Sequence, residues 1–254
     1  MSEGGGSGTK RAENARPAKS SALPKRFYQN VTVEDNGGAH ALLLDGMPVR
    51  TPGKAPLILP TRAAAQALAE EWRAQGDRID PETMKLTRLA NSAIDGVRGG
   101  EHAVAADIVR HAGSDLLSYR AEGPQGLIAA QAKHWDPVLA WAERALDAPL
   151  HHVTGVVHVA QPASSLDVIA RQLVPFDAFG IAALHVMTQL TGSALLALAV
   201  ALVYLTPEEA WNAAHVDEDF QIAKWGEDAE AAKRRAHRKR DFDAAARMLA
   251  LTHR

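Results

Sequence analysis

Six carboxylates crowd one stretch near the C-terminus: Asp217, Glu218, Asp219, Glu227, Asp228 and Glu230. Carboxylates that converge can hold a hard cation or exchange protons with a substrate. Carboxylates on a solvated helix end do neither. A third chemistry is recognition. Phe220 and Trp225 lie among the acids, and aromatics inside a charged rim are the usual anchors of protein interfaces. At helical spacing, positions 217, 221 and 225 share one face and 218 and 222 another, so the acids need not all point the same way. That spacing weakens the catalytic reading more than the binding one.

The other candidate constellations are poorer. Asp107, His111 and Asp115 sit four apart and could line one helix face, but no fourth ligand comes with them. His151, His152 and His158 could gather near a strand, yet neighbours in an extended chain point to opposite sides, so His151 and His152 cannot both ligate one ion. Gly4 to Lys10 reads GGGSGTK. A phosphate loop needs Gly-Lys-Ser/Thr between a strand and a helix, whereas here Thr9 precedes Lys10 and no strand comes first. A flexible linker is expected there. No Ser–His–Asp set, zinc-helix motif or dinucleotide fingerprint appears. We therefore assign no catalytic, cofactor or metal site, and expect a binding protein and not an enzyme.

The elements that position the acids come next. The 254 residues suffice for one large domain or two small ones. Hydrophobic residues make up 46% and charged residues 23%, ordinary for a globular chain, and the net charge of -2 gives no field to attract nucleic acid. With 0 cysteines, disulfides and thiolate chemistry are excluded. Residues 1–25 lack an apolar run and read as a disordered tail. Ala194 to Leu205 is strongly apolar but well short of the ~20 residues of a membrane span, so it reads as a buried helix.

From Arg26 to about residue 60 the pattern is antiparallel β. Turns are signalled at Asp35 to Gly38, at Asp45-Gly46 and at Pro52-Gly53. The last strand, Leu57 to Leu59, is expected to continue the meander. Thr61 caps a helix from Ala63 to Gln75 that stops at Gly76, and Leu68 and Trp72 share its apolar face. Beyond residue 100 helices dominate: 103–111, 125–146 with Pro137 marking a break or a new start, 166–173, 179–190, 194–205, 207–225 and 229–251. Residues 116–119 read as a short extended piece and 153–159 as a strand weakened by Gly155. The fold class is α+β: a small, β-rich N-terminal domain (26–100) and a larger, mainly helical C-terminal domain (101–254).

Several strings, in order, resemble one family. They are Arg26-Phe27-Tyr28, the hairpin 44–53 (LDGMPVRTPG), 70–75 (EEWRAQ), 79–84 (IDPETM), 86–91 (LTRLAN), 115–121 (DLLSYRA), Trp135-Asp136-Pro137, Gly192-Ser193, 217–221 (DEDFQ) and Lys224-Trp225-Gly226. The pattern resembles the F-type ATP synthase assembly chaperones of mitochondria and alphaproteobacteria that bind the free alpha subunit. The departures are single residues: Met47 where Arg is usual, Lys85 where Pro is common, and Ser118 in a usual Cys position. The resemblance implies that the chain covers the beta-binding face of unassembled alpha subunit, with no cofactor and no nucleotide hydrolysis. Asp217, Glu218, Asp219, Phe220, Gln221 and Trp225 are the expected partner-binding residues, and Trp72, Gly46 and Trp135 structural ones. A monomer that neither enters membranes nor binds nucleic acid is expected, in a bacterial cytoplasm or, alternatively, a mitochondrial matrix. The competing readings are a cation-dependent hydrolase built on the 217–230 carboxylates and a structural adaptor.

Overall fold

The structure, a computed structural model, describes residues 23–253 apart from Asn36. The tail, the Gly4–Lys10 motif and Asn36 of the first turn signal fall outside those residues.

Strands β1 (Val31–Asp35) and β2 (His40–Leu44) form the first antiparallel pair, with Val31 opposite Leu44 and Val33 opposite Leu42. Asp45 (φ +48) and Gly46 (φ +82) make the turn into β3 (Met47–Pro48). Both central residues are left-handed, as a two-residue hairpin requires. The Asp45 carboxylate also accepts the N–H groups of Gln29 (3.0 Å) and Asn30 (2.7 Å), tying the turn to the start of β1. Strand β4 (Ile58–Leu59) does not extend the meander. It returns to β2 and pairs with His40 and Ala41, beside the place where β3 takes Leu43 and Leu44. Five-residue β2 is long enough to seat two short strands on one edge, so both rows of its hydrogen bonds are used.

Helix α1 (Arg62–Arg73) begins as expected, with Thr61 Oγ1 accepting from Ala64 N at 3.1 Å. It ends at Ala74, before Gly76, because Gln75 turns its side chain back to Glu71 O and Thr83 Oγ1 and so fixes the next loop. Trp72 packs edge-on to Tyr28, whose hydroxyl donates to Trp72 O at 2.7 Å. Three elements follow that sequence reading did not name: a 3-10 turn over Pro81–Thr83, α2 (Lys85–Ser92) and a π-helical turn over Ala93–Val97. Helix α2 has no capping side chain of its own. Glu71 of α1 supplies it, accepting from Leu86 N (2.7 Å) and Thr87 N (2.8 Å). From the π turn, Asp95 accepts Thr51 Oγ1 (2.6 Å) and Gly53 N (2.8 Å). A Cβ on Gly53 would stand 2.7 Å from that carboxylate, so only glycine lets the hairpin close on it.

The helical region comprises α3 (Glu101–Ala112), α4 (Gln125–Leu146), α5 (Ala163–Leu173), α6 (Ala178–Thr191), α7 (Ala194–Ala201), α8 (Pro207–Ala214), α9 (Val216–Trp225) and α10 (Ala229–Thr252). Helix α7 is almost wholly apolar and lies in the centre with α6, which buries most of its length and leaves only a strip with His185 and Gln189 towards solvent. Among the described residues no helix is long and apolar enough to cross a membrane.

Four expectations change here. The 194–205 run is helical only to Ala201; Leu202 to Leu205 form a tight cap with Val203 left-handed (φ +58). The 207–225 run is two helices, divided at His215, whose Nδ1 pairs with Trp211 O at 2.8 Å. The expected strand at 153–159 shrinks to β6 (Val153–Thr154), paired in parallel with β5 (Tyr119–Arg120), because Gly155 (φ +89) turns the chain away. A 3-10 turn over Leu116–Ser118 stands in most of the place of the extended piece expected at 116–119.

Helix α10 lies across α6 and reaches the N-terminal region. Thr61 Oγ1 donates to Leu251 O (2.6 Å), Lys85 Nζ meets Asp241 Oδ1 (2.9 Å) and Arg247 meets Glu70 (3.3 Å). The buried residues of the two regions form one continuous core.

Candidate functional site

The break at His215 sets the direction of α9. Helix α8 is fixed by a reciprocal cap, in which Thr206 accepts from Glu209 N and Glu209 accepts from Thr206 N, with Pro207 in the first turn. Its last turn buries Trp211 against Phe242 and seats the His215 ring on Trp211, centroids 3.9 Å apart. Burial holds the His215 pKa below the usual imidazole range, against the opposing pull of its bond to Trp211 O; Arg235 adds to the lowering. A neutral His215 thus closes α8, and the chain restarts as α9 with Asp217, Glu218 and Asp219 in its first turn. Acids there meet the free N–H groups and positive end of the helix.

Each of these acids has a partner within the chain. Asp217 Oδ1 accepts from Gln131 Nε2 at 2.7 Å, and Gln131 Oε1 in turn accepts from Ala121 N at 2.8 Å. Asp219 Oδ1 lies 2.5 Å from Arg235 Nη1 of α10, and Glu218 Oε2 lies 3.9 Å from Arg235 Nε. Their side chains remain 39% (Glu218) and 46% (Asp219) exposed, so Arg235 leaves much of each carboxylate facing solvent. Asp228 caps α10 through Ala231 N, and Glu230 pairs with Arg234. Asp217, Glu218, Asp219, Asp228 and Glu230 are thus spread over a cap, ion pairs and the Gln131 bond, and among the described residues they form no cluster able to hold a metal ion.

The aromatics divide. Phe220 turns inward, and a Cβ added to Gly126 of α4 would be 3.2 Å from its ring. Trp225 turns outward at 71% exposure, with Lys224 Nζ 5.2 Å from its ring centroid. Gln221 is exposed one turn before it. Two recesses flank Glu218. One of about 340 Å³ is lined by Trp135, Leu190, Gly192, His215, Asp217 and Arg238; the other, about 250 Å³, by Gln221, Ile222, Trp225, Asp228 and Arg235. Glu218 lines both. Sequence reading found this acidic stretch but missed Arg235 and Arg238. The run Lys233-Arg234-Arg235 was visible, but nothing local says which cation reaches α9.

The remaining candidates lie elsewhere. Trp135 is buried, donates Nε1–H to Ala213 O at 2.7 Å and carries the Arg120 guanidinium over its ring. Of the possible Asp107–His111–Asp115 face only the first two residues meet, His111 Nδ1 lying 3.7 Å from Asp107 Oδ2. Asp107 meets Arg110 and His185 of α6, the Arg110 bond holding its pKa down at about 2. Asp115 lies past the end of α3 and is wholly buried, accepting from Leu117 N and Leu195 N, both at 3.1 Å. His158 contacts Tyr119, and not His151 or His152. Among the described residues no three His, Asp or Glu side chains are arranged to hold a metal ion. A recess of about 490 Å³ runs between α3 and α5 over Ala105, Val109, Ala170, Leu173 and Phe176. It is apolar, and sequence reading did not identify it.

The comparison with known proteins is consistent along the chain. A family model described as ATP12 chaperone protein matches residues 25–143. The crystal structure of Atp12 from Paracoccus denitrificans superposes with a TM-score of 0.86 at 43% sequence identity, over 91% of this chain and 99% of that one. The Atu1473 protein of Agrobacterium tumefaciens superposes with a TM-score of 0.87 at 49% identity, over 90% of this chain and 86% of that one. By identity sustained over nearly the whole length of the Paracoccus protein, the chain belongs to the ATP12 chaperone family, the ATP synthase assembly chaperones that its sequence motifs resemble.

Proposed function

We propose that this chain binds the unassembled alpha subunit of ATP synthase and shields the surface that beta subunit later covers. The observation that carries this reading is the 43% identity to Atp12 over 99% of that protein, with the family strings of the acidic helix among the residues of α9. An orphan subunit exposes apolar surface that aggregates. A chaperone with competing affinity covers that surface and yields it by exchange, without hydrolysis. No catalytic step is assigned to the chain, and a cytoplasmic monomer is the expected form.

The docking surface we propose is α9: Asp217, Glu218, Asp219, Gln221 and Trp225, with Phe220 holding the helix against α4. Exposed Trp225 is an anchor of the kind that dominates interfaces, and the half-exposed acids beside Arg235 form its rim. Glu218, which borders both recesses, is the residue to test. Its pair with Arg235 is long and solvated, so Glu218→Lys is expected to cost at most about 1 kcal/mol of stability. Binding of purified alpha subunit, measured by calorimetry, is expected to weaken by about 2–5 kcal/mol. A folded Glu218→Lys chain that binds alpha subunit normally removes this residue from the surface. A wild-type chain that fails to bind alpha subunit overturns the reading.

A further inference from the structure

Residues 153–159, VTGVVHV, have the composition of a strand, with five β-branched residues in seven. The fold uses only the first two, which pair in parallel with Tyr119 and Arg120. Gly155 N–H donates to Arg120 O at 2.8 Å, and its φ of +89° then swings the chain out of the ladder. Beyond it Val156 and Val157 stand 95% and 78% exposed. Among the described residues, no backbone N–H or C=O from Val156 to Ala160 meets a hydrogen-bonding partner. The Tyr119 hydroxyl, 3.1 Å from His158 Nδ1, keeps the segment beside the small sheet. A strand-forming sequence with bare valines and an unused backbone is a local preference that the isolated chain leaves unmet.

The position and charge of the segment say what would meet it. Gly155 packs on Glu122, whose Oε1 is 3.0 Å from where a glycine Cβ would be, and Glu122 makes no ion pair among the described residues. Glu122 stands three residues before α4, near the end of α4 where Phe220 contacts Gly126. Asp217 faces Gln131 and Phe220 faces Gly126, so α9 runs antiparallel to α4 and carries Trp225 towards that same end. The segment therefore lies at the end of α4 towards which the proposed α9 surface runs.

We propose that Val156–Ala160 is a docking strand: an extended segment of the alpha subunit adds to it by main-chain pairing. Apolar residues of the incoming segment would cover Val156 and Val157, and a basic side chain near the Gly155 end would meet Glu122. This rests on the reading that alpha subunit is the client.

The test uses the full chain and purified alpha subunit. Val157→Pro removes one N–H from an exposed, unpaired position, so the fold should keep its melting temperature. It is expected to weaken binding by about tenfold or more. A Val156→Thr, Val157→Thr double variant keeps strand propensity and every N–H, and should weaken binding less. Hydrogen exchange on the wild-type chain should show the amides of 156–160 protected when alpha subunit is added, which decides the matter even if the proline variant fails to fold. Normal binding by Val157→Pro, or binding without that protection, overturns the docking strand; loss of binding in Glu218→Lys under the same conditions would show the α9 surface still standing. Protection of these amides in the free chain, rising with its concentration, would make the occupant a second copy and overturn the proposal. Absence of any wild-type binding sinks the alpha-subunit reading, and the named occupant with it.

Discussion

Asp115 is the least ordinary residue of the chain. Its carboxylate is wholly enclosed, yet it accepts from Leu117 N and from Leu195 N at the start of α7, and so joins two segments 80 positions apart. Burial raises its pKa from 3.8 to about 6 against the downward pull of Ser193 and the backbone amides. The folded chain therefore binds this proton more tightly than the unfolded one. Its stabilising effect is complete below about pH 4 and is lost as pH rises through about 6. A two-unit shift corresponds to about 3 kcal/mol. Urea denaturation between pH 4 and 7 should show this decline in the wild type and not in Asp115→Asn, which has nothing to titrate. Parallel profiles for the two proteins would show that Asp115 is not the group responsible. The same proximity of acid and amide at Asp45 serves a turn. Gly46→Val should lower stability by about 1–2 kcal/mol through its left-handed φ alone, since nothing lies within 4 Å of a new Cβ. An unchanged denaturation midpoint would contradict that.

At the scale of elements, the end of α7 repeats the theme with the wrong residue. Tyr204 N bonds to Ala199 O (2.8 Å) and Val203 N to Val200 O (3.1 Å), the paired closure normally built around glycine. Here Val203 occupies the left-handed position, and its side chain is exposed. A β-branched residue is strained there and gains no burial in return. Val203→Gly should raise stability by about 0.5–1 kcal/mol, the relief of strain exceeding the extra entropy of the unfolded glycine. A lowered melting temperature would mean that the valine makes a contact worth more than its strain. The stacked pair Trp141 and Tyr204, 4.8 Å between centroids, holds the turn against α4, so the substitution should act locally.

At the scale of the whole molecule, α10 decides whether the β-rich and helical regions are separate. Phe242, Ala245, Ala246, Met248 and Leu249 are buried by α10, and Thr61, Lys85 and Glu70 tie it to the N-terminal region. A core continuous across the two regions should unfold as one unit. Calorimetry is expected to give a single transition, and Phe242→Ala should lower it by about 3–5 kcal/mol without splitting it. Two resolved transitions, with only one moved by Phe242→Ala, would show that the regions are independent.

What the sequence settled by itself was whatever depends on neighbours within a turn or two. Turn chemistry gave the Asp45-Gly46 hairpin, Thr61 gave the start of α1, and the ends of the helix from Gln125 to Leu146 were legible, although it runs unbroken through Pro137 where a break or a new start was expected. The acidic stretch at 217–230 and the family strings were equally local. Tertiary structure decided the rest. Helix α2 went unnamed because its cap, Glu71, comes from another helix. The 207–225 run breaks because His215 finds a buried site on Trp211, which propensity along the chain does not report. The strand at 153–159 stops after two residues because Gly155, held by Arg120 O at a left-handed φ, turns the chain out of the ladder. Among the site residues, type and order were readable, but orientation was not: Phe220 in, Trp225 out, and Arg235 from α10 between Glu218 and Asp219. Local propensity fixes which dihedrals are favoured residue by residue, whereas the facing of a side chain depends on what the remainder of the chain packs against it.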